Sequence, residues 1–76
     1  MSGNKFSIVT EIVCTVLENS SLPTDVEINK NTNLRDELGF DSLALAELAV
    51  RLEDEFDVDV FEDGLVHTIE EILEKV

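Results

Sequence analysis

One serine in this chain stands where a hydroxyl could carry a chemical group. The residues Gly39-Phe40-Asp41-Ser42-Leu43 place an acid and a serine shortly after a glycine, at the start of a strongly helical segment. An anion esterified to a hydroxyl in the first turn of a helix faces unpaired backbone amides and the positive end of the helix dipole. Ser42 is therefore well placed to hold a phosphate ester, although a serine at such a position is most often a simple helix-start residue.

Catalysis lacks the residues that it needs. The sequence around Ser42 is not the Gly-x-Ser-x-Gly nucleophile elbow, and the one histidine, His67, is expected to be a partly exposed loop residue. In a chain with 18 acidic residues, pairs of carboxylates are expected by chance and indicate a solvated surface. We therefore expect no catalytic residues and no enzyme activity.

A metal site is not expected either. The lone Cys14 and the single histidine leave no cluster of thiolates or imidazoles for zinc. The acidic segment 57–63 fails as an EF-hand calcium loop, because Phe61 stands where an oxygen ligand is required and Glu62 where a glycine is required.

Three segments have the apolar periodicity of helices. The first runs from its N-cap Asn4 to about Glu18, and the second runs from Asp41 to Phe56. The third is a short helix that follows the Thr-x-x-Glu capping box beginning at Thr68. The pattern predicts an all-α fold, a bundle of three main helices and one short helix, in a single domain over residues 1–76.

The connecting segments carry isolated apolar residues that should reach the core. The loop over residues 24–40 is expected to be held down by Val26, Ile28, Leu34 and Leu38. The one short helix of this bundle, which we count as the fourth, is expected between the second helix and the capped last helix. An irregular link should lead into it, and its helical turn should bury Val60, Phe61 and Leu65.

The second helix has two distinct faces. At 100° per residue, its core face is formed by Leu45, Leu48, Ala49, Leu52 and Phe56. The opposite side carries a strip that we name the docking strip: Leu43, Glu47, Val50 and Asp54. Two exposed apolar side chains framed by carboxylates suit the binding of a partner, although scattered exposed leucines and valines are common on protein surfaces.

The chain is strongly acidic. It has 76 residues and a net charge of −13 at pH 7, and most of the acid lies in residues 35–76. This charge repels nucleic acids and anionic membrane surfaces and favours basic protein partners. The sequence also lacks the ~18-residue apolar run of a spanning helix and the pattern of a signal peptide. We expect a cytoplasmic monomer without stable membrane insertion.

The motif and its setting resemble the acyl carrier protein family. The family signature is a Gly-x-Asp-Ser-Leu motif that opens the second helix of a four-helix bundle, and here it reads Gly39-Phe40-Asp41-Ser42-Leu43. The resemblance covers essentially the whole chain, including residues 32–38, Glu47-Leu48, residues 52–57 and the capped last helix. A bare Asp-Ser-Leu is weak evidence, but its combination with length, acidity and helix pattern is specific.

The resemblance implies a covalent cofactor on Ser42. A phosphopantetheinyl transferase would move 4'-phosphopantetheine from coenzyme A to this hydroxyl, and the thiol of the arm would carry an acyl group as a thioester. Asp41 matches the motif aspartate that helps to engage the transferase and its metal. The space for an acyl chain between the helices would have Leu45, Ala46 and Ala49 as candidate lining residues, although small residues also permit plain close packing of helices.

The resemblance also implies the partners. The docking strip corresponds to the recognition helix of the family, where carboxylates meet Arg and Lys of partner enzymes. These partners would be the phosphopantetheinyl transferase, an acyl-loading ligase or transferase, and ketosynthase-type enzymes with basic docking patches. Electrostatic docking suits a shuttle, because it speeds encounter without requiring a long-lived complex.

Some features depart from housekeeping fatty-acid carriers. Ala44 and Leu45 stand where those carriers usually have polar residues, and residues 67–71 are closer to the ending of polyketide and peptidyl carriers. These departures favour a dedicated carrier for polyketide-like or modified fatty-acid synthesis, and the extent of the chain suits a free-standing protein. The alternatives are an aminoacyl, D-alanyl or peptidyl carrier and, from a different class, an unmodified acidic interaction module.

Overall fold

The computed structural model describes residues 4–62, 64 and 66–76. These described residues contain three helices, α1 (Lys5–Asn19), α2 (Ser42–Phe56) and α3 (Ile69–Lys75). These spans confirm the helices that the periodicity predicts, with bounds that differ by one residue, and the all-α class is confirmed. None of the described helices is long and apolar enough to cross a membrane.

Each helix begins at a side-chain cap. The Asn4 side chain accepts a hydrogen bond from the Phe6 amide at 2.8 Å, and the Thr68 hydroxyl accepts one from the Glu71 amide at 3.3 Å. The Glu71 carboxylate accepts a hydrogen bond from the His67 amide at 2.7 Å. In a standard capping box the donor would be the amide of the N-cap residue, here Thr68. Local sequence therefore sets where the helices start.

One aliphatic core joins the three helices. The fully buried side chains of the helices are Val9, Val13, Val16, Leu17, Leu48, Leu52, Ile69 and Ile72. On α2, Leu45 is also buried as predicted, whereas Ala49 and Phe56 are only half-buried. Ala44 is buried as well, so the core face begins one position closer to Ser42 than the helical pattern predicts.

The long loop between α1 and α2 is fixed by side chains and by backbone pairing. Leu34 and Leu38 are buried as predicted, and Val26 and Ile28 are half-buried against the core. The Leu34 amide donates to the His67 carbonyl at 2.8 Å, and the Ile69 amide donates to the Thr32 carbonyl at 3.2 Å. The loop is thereby tied to the chain that enters α3.

The segment after α2 is an irregular link followed by turns, as predicted, but no fourth helix is found among its described residues. α2 ends at Asp57, whose backbone is left-handed with a φ of 59°. An Asp59 side-chain oxygen accepts from the Phe61 amide at 3.1 Å, and the described residues of this segment form turns, so the fourth helix is not confirmed. Such aspartate turns compete with helix formation. Val60 is buried and Phe61 half-buried, while the prediction for Leu65 lies outside the described residues.

Candidate functional site

The residues before α2 place Ser42 at the first position of the helix. Gly39 has a φ of 80°, a conformation that glycine adopts without strain. Phe40 is buried and anchors the chain in the core. The Asp41 carboxylate then caps the helix by accepting from the Ala44 amide at 2.8 Å. The turn, the anchor and the cap together fix the position of the Ser42 backbone relative to the core.

The Ser42 hydroxyl is open to a partner. Ser42 is exposed, and no hydrogen bond to its hydroxyl is found within the described part of the chain. Its backbone amide and that of Leu43 precede the first amides of α2 that are bonded, those of Ala44 and Leu45. The positive end of the helix lies beside the hydroxyl, which suits an attached phosphate.

An open cavity of about 240 Å³ lies beside Ser42. Its lining residues are Arg35, Ser42, Leu45, Ala46 and Phe61. Leu45 and Ala46 are two of the three residues that the resemblance suggests for an acyl chain, whereas the third, Ala49, does not line this cavity. Sequence reasoning missed Arg35 as a site residue and missed that Phe61 reaches the site, because the local pattern carries no signal for these contacts.

Two residues of the docking strip are prominently exposed. Leu43 is 79% exposed and Val50 is 65% exposed, and they are the large apolar side chains that stand out on the described surface. Asp54 is exposed as well. Large apolar side chains at this level of exposure, next to carboxylates, form a surface on which a partner with apolar and basic groups could bind.

Glu47 differs from the other members of the strip. Its carboxylate accepts hydrogen bonds from Asn19 at 2.8 Å and from the Arg51 guanidinium at 2.9 Å. The bond from Asn19 and then the bond from Arg51 lower the pKa of the Glu47 carboxyl below its ordinary value. Glu47 therefore joins α2 to the end of α1, and its charge is partly matched within the chain.

A larger groove of about 460 Å³ runs between α1 and α2. Glu47, Val50 and Asp54 line it, together with Glu11 and Ile12 of α1. Leu43 is not among its lining residues and lies one position from Ser42. The docking strip thus extends from the serine into an acidic groove that α1 helps to form.

The apolar positions after Leu43 have a structural explanation. Ala44 is 1% exposed and Leu45 is 7% exposed, so both side chains lie in the core. Packing in the core therefore accounts for the apolar residues at these two positions.

The remaining candidate groups are surface residues. His67 is exposed and its Nδ1 lies 3.8 Å from the Glu71 carboxylate. Among the described residues, no group of three or more His, Cys, Asp or Glu side chains is arranged to hold a metal ion.

Comparison with known proteins places the chain in a family. Residues 7–76 match the family model described as the phosphopantetheine attachment site. The chain is 35% identical, over 78 aligned residues, to an acyl carrier protein of Trieres chinensis, with all of this chain and 92% of that protein covered. No solved structure matches significantly.

The chain belongs to the acyl carrier protein family of phosphopantetheine-binding carriers. Proteins with this domain carry a covalently attached 4'-phosphopantetheine. The residues present fit such a group, because an exposed serine hydroxyl stands at a helix start beside an open cavity with apolar walls. The protein is thus a carrier, and its family is generally non-catalytic.

Proposed function

We propose that the protein carries acyl intermediates as thioesters on a 4'-phosphopantetheine arm attached to Ser42, and that it shuttles them between enzymes of fatty-acid-like or polyketide-like biosynthesis. The observation that carries this proposal is the exposed Ser42 hydroxyl at the first position of α2, next to the open cavity. Leu45, Ala46 and Phe61 give that cavity apolar walls, which suit the hydrocarbon part of a cargo.

The attachment is a group transfer to the Ser42 hydroxyl. The oxygen forms a bond to the phosphorus of the phosphopantetheine in coenzyme A, the bond from that phosphorus to the adenosine bisphosphate breaks, and the hydroxyl proton passes to a base of the transferase. In this chain, Asp41 holds the first turn in place through one carboxylate oxygen. Its other oxygen is available to the transferase and the transferase's metal ion.

Docking would use the docking strip and the groove between α1 and α2. A partner with Arg or Lys next to an apolar residue would place the apolar residue against Leu43 or Val50 and the cation near Asp54. The net charge of −13 would draw such a partner in from a distance and raise the rate of encounter. This arrangement serves a monomeric carrier that must bind and leave several enzymes in turn.

The test is intact-protein mass spectrometry after incubation with coenzyme A and a promiscuous phosphopantetheinyl transferase. The wild type should gain the mass of one phosphopantetheine and Ser42→Ala should gain none. Ser7→Ala is the matched control, because Ser7 is also an exposed serine in the first turn of a helix. If the wild type stays unmodified while folded, or if Ser42→Ala still gains the mass, attachment at Ser42 is wrong.

The class of cargo is tested on the loaded protein. An acyl-loading ligase or transferase with fatty or malonyl-type acyl donors should add an acyl mass to the arm, and a thiol-reactive reagent applied beforehand should block the addition. If the arm accepts amino acids from an adenylating ligase and no acyl group from any acyl donor, the acyl part of the proposal is wrong and the protein is an aminoacyl or peptidyl carrier.

A further inference from the structure

Arg35 is held beside Ser42 by the turn that leads into the motif. The Asn33 side chain accepts from the backbone amide of Arg35 at 2.9 Å, and the Arg35 carbonyl accepts from the Gly39 amide at 3.2 Å. The next residue in the turn, Asp36, donates its amide to the same Asn33 oxygen at 2.8 Å. The backbone of Arg35 is thus fixed on both sides, and its side chain lines the same cavity as Ser42.

The Arg35 guanidinium has no acidic partner within the described part of the chain. By contrast, Arg51 is paired with Glu47 at 2.9 Å, and Lys5 donates to the carbonyl of Val76 at 2.7 Å. The acidic neighbour Glu37 directs its carboxylate to the Asn33 amide at 3.0 Å. In a chain of net charge −13, a cation that faces a cavity whose described lining residues include no carboxylate is available to an anion.

The cavity brings a cation and an attachment point together. A phosphodiester on the Ser42 hydroxyl would place one negative charge at the edge of the cavity that Arg35 lines. Guanidinium groups match phosphate oxygens with two parallel N–H donors, which a lysine ammonium does not offer. The other described walls of the cavity are Leu45, Ala46 and Phe61, so Arg35 is the one cationic group among the lining residues that the structure describes.

We infer that Arg35 is a positioning residue for the prosthetic arm: its guanidinium binds the phosphodiester on Ser42 and directs the arm along the cavity walls formed by Leu45, Ala46 and Phe61. This inference rests on the proposed attachment at Ser42. It assigns a role to the loop before α2, whose exposed cation offsets the phosphate charge that loading adds to an already acidic protein.

The test uses NMR spectroscopy of the apo and loaded proteins. The Nε–H signal of Arg35 is assigned by its loss in Arg35→Lys, and it should shift when the wild type is loaded. The ³¹P signal of the phosphodiester should differ between the wild type and Arg35→Gln. Lys30→Gln is the matched control, because Lys30 is an exposed cation of the same loop that lines a different pocket. It should leave the ³¹P signal in place.

Added NaCl provides a second readout that requires no variant to fold. Salt should move the Arg35 Nε–H signal of the loaded wild type back towards its position in the apo protein, because the pair is exposed and is screened. Loading is verified by mass before each spectrum. An unloaded wild type would count against attachment at Ser42. By contrast, the inference alone would be overturned if the loaded wild type had the Arg35 signal of the apo protein and the ³¹P signal of loaded Arg35→Gln.

Discussion

Asp41 combines two roles that substitution can separate. Its carboxylate caps α2 through the 2.8 Å bond from the Ala44 amide, and replacement of a capping side chain by alanine typically costs about 1 kcal/mol. For a domain of this length, a loss of about 1 kcal/mol lowers Tm by roughly 4–8 °C. Asp41→Asn keeps an oxygen that can accept the bond, so it should lose only the charge at the helix terminus, about 0.3–1 kcal/mol.

The assay is urea and thermal unfolding of Asp41→Ala and Asp41→Asn beside Asp25→Ala. Asp25 is an exposed loop residue, so its replacement reports the general effect of removing one negative charge from an acidic protein. The expected order of stability is Asp25→Ala, then Asp41→Asn, then Asp41→Ala. If Asp41→Ala were as stable as Asp25→Ala, the capping argument would be refuted.

The same three proteins test the transfer reaction. Loading of Ser42 followed by mass spectrometry should be slower for Asp41→Asn than for Asp25→Ala, because the variant retains the cap and lacks the charge that faces the transferase. Equal rates for these two proteins would mean that Asp41 serves the helix alone. The comparison is made well below each Tm, so that a slower reaction does not report unfolding.

Three further predictions concern the two faces of α2. Leu48→Ala should lower the free energy of unfolding by about 2–5 kcal/mol, because Leu48 is fully buried, whereas Leu43→Ala should change it by less than about 0.5 kcal/mol in urea titrations. The double substitution Leu43→Ala with Val50→Ala should raise the transferase KM and leave Tm nearly unchanged; an unaltered KM would contradict docking on these residues. Glu47 has a lowered pKa in the folded state, mainly through Asn19, so its stabilising contribution is present above the ordinary pKa and is lost as pH falls through the lowered one. The stability difference between the wild type and Glu47→Gln should therefore shrink as the pH falls below the ordinary pKa of glutamate, and a constant difference would contradict this.

The helices could be predicted because their signals are local. Asn4, Asp41 and Thr68 each combine a capping side chain with an apolar period that starts directly afterwards, and the structure confirms all three starts. The fourth helix is not confirmed: the Phe61 amide donates to the Asp59 side chain, and the described residues there form turns. Apolar residues such as Val60 can be buried from a turn as well as from a helix, so periodicity over a short segment does not distinguish the two.

The site could be predicted only in part. The exposure of Leu43 follows from helix geometry, because it lies opposite a clear core face. The placement of Arg35 and Phe61 beside Ser42 depends on how two loops pack, and no short-range pattern carries that information. The Glu47 to Arg51 pair has the i, i+4 spacing that sequence reasoning could have used, whereas the bond from Asn19 joins residues 28 positions apart.

The burial pattern around Ser42 explains how a small domain can hold an exposed hydroxyl in a fixed position. Phe40 lies in the core on one side of the serine and Ala44 and Leu45 lie in the core on the other, while Ser42 and Leu43 between them are exposed. The core thus fixes the backbone on both sides of the hydroxyl within a single helical turn. A partner can then bind the helix start as a rigid surface, and under the proposed function the partner supplies the base, the metal and the cargo. The chain itself then contributes a fixed position for the hydroxyl and a negatively charged surface around it. The short exposed segment between Phe40 and Ala44 provides the first of these.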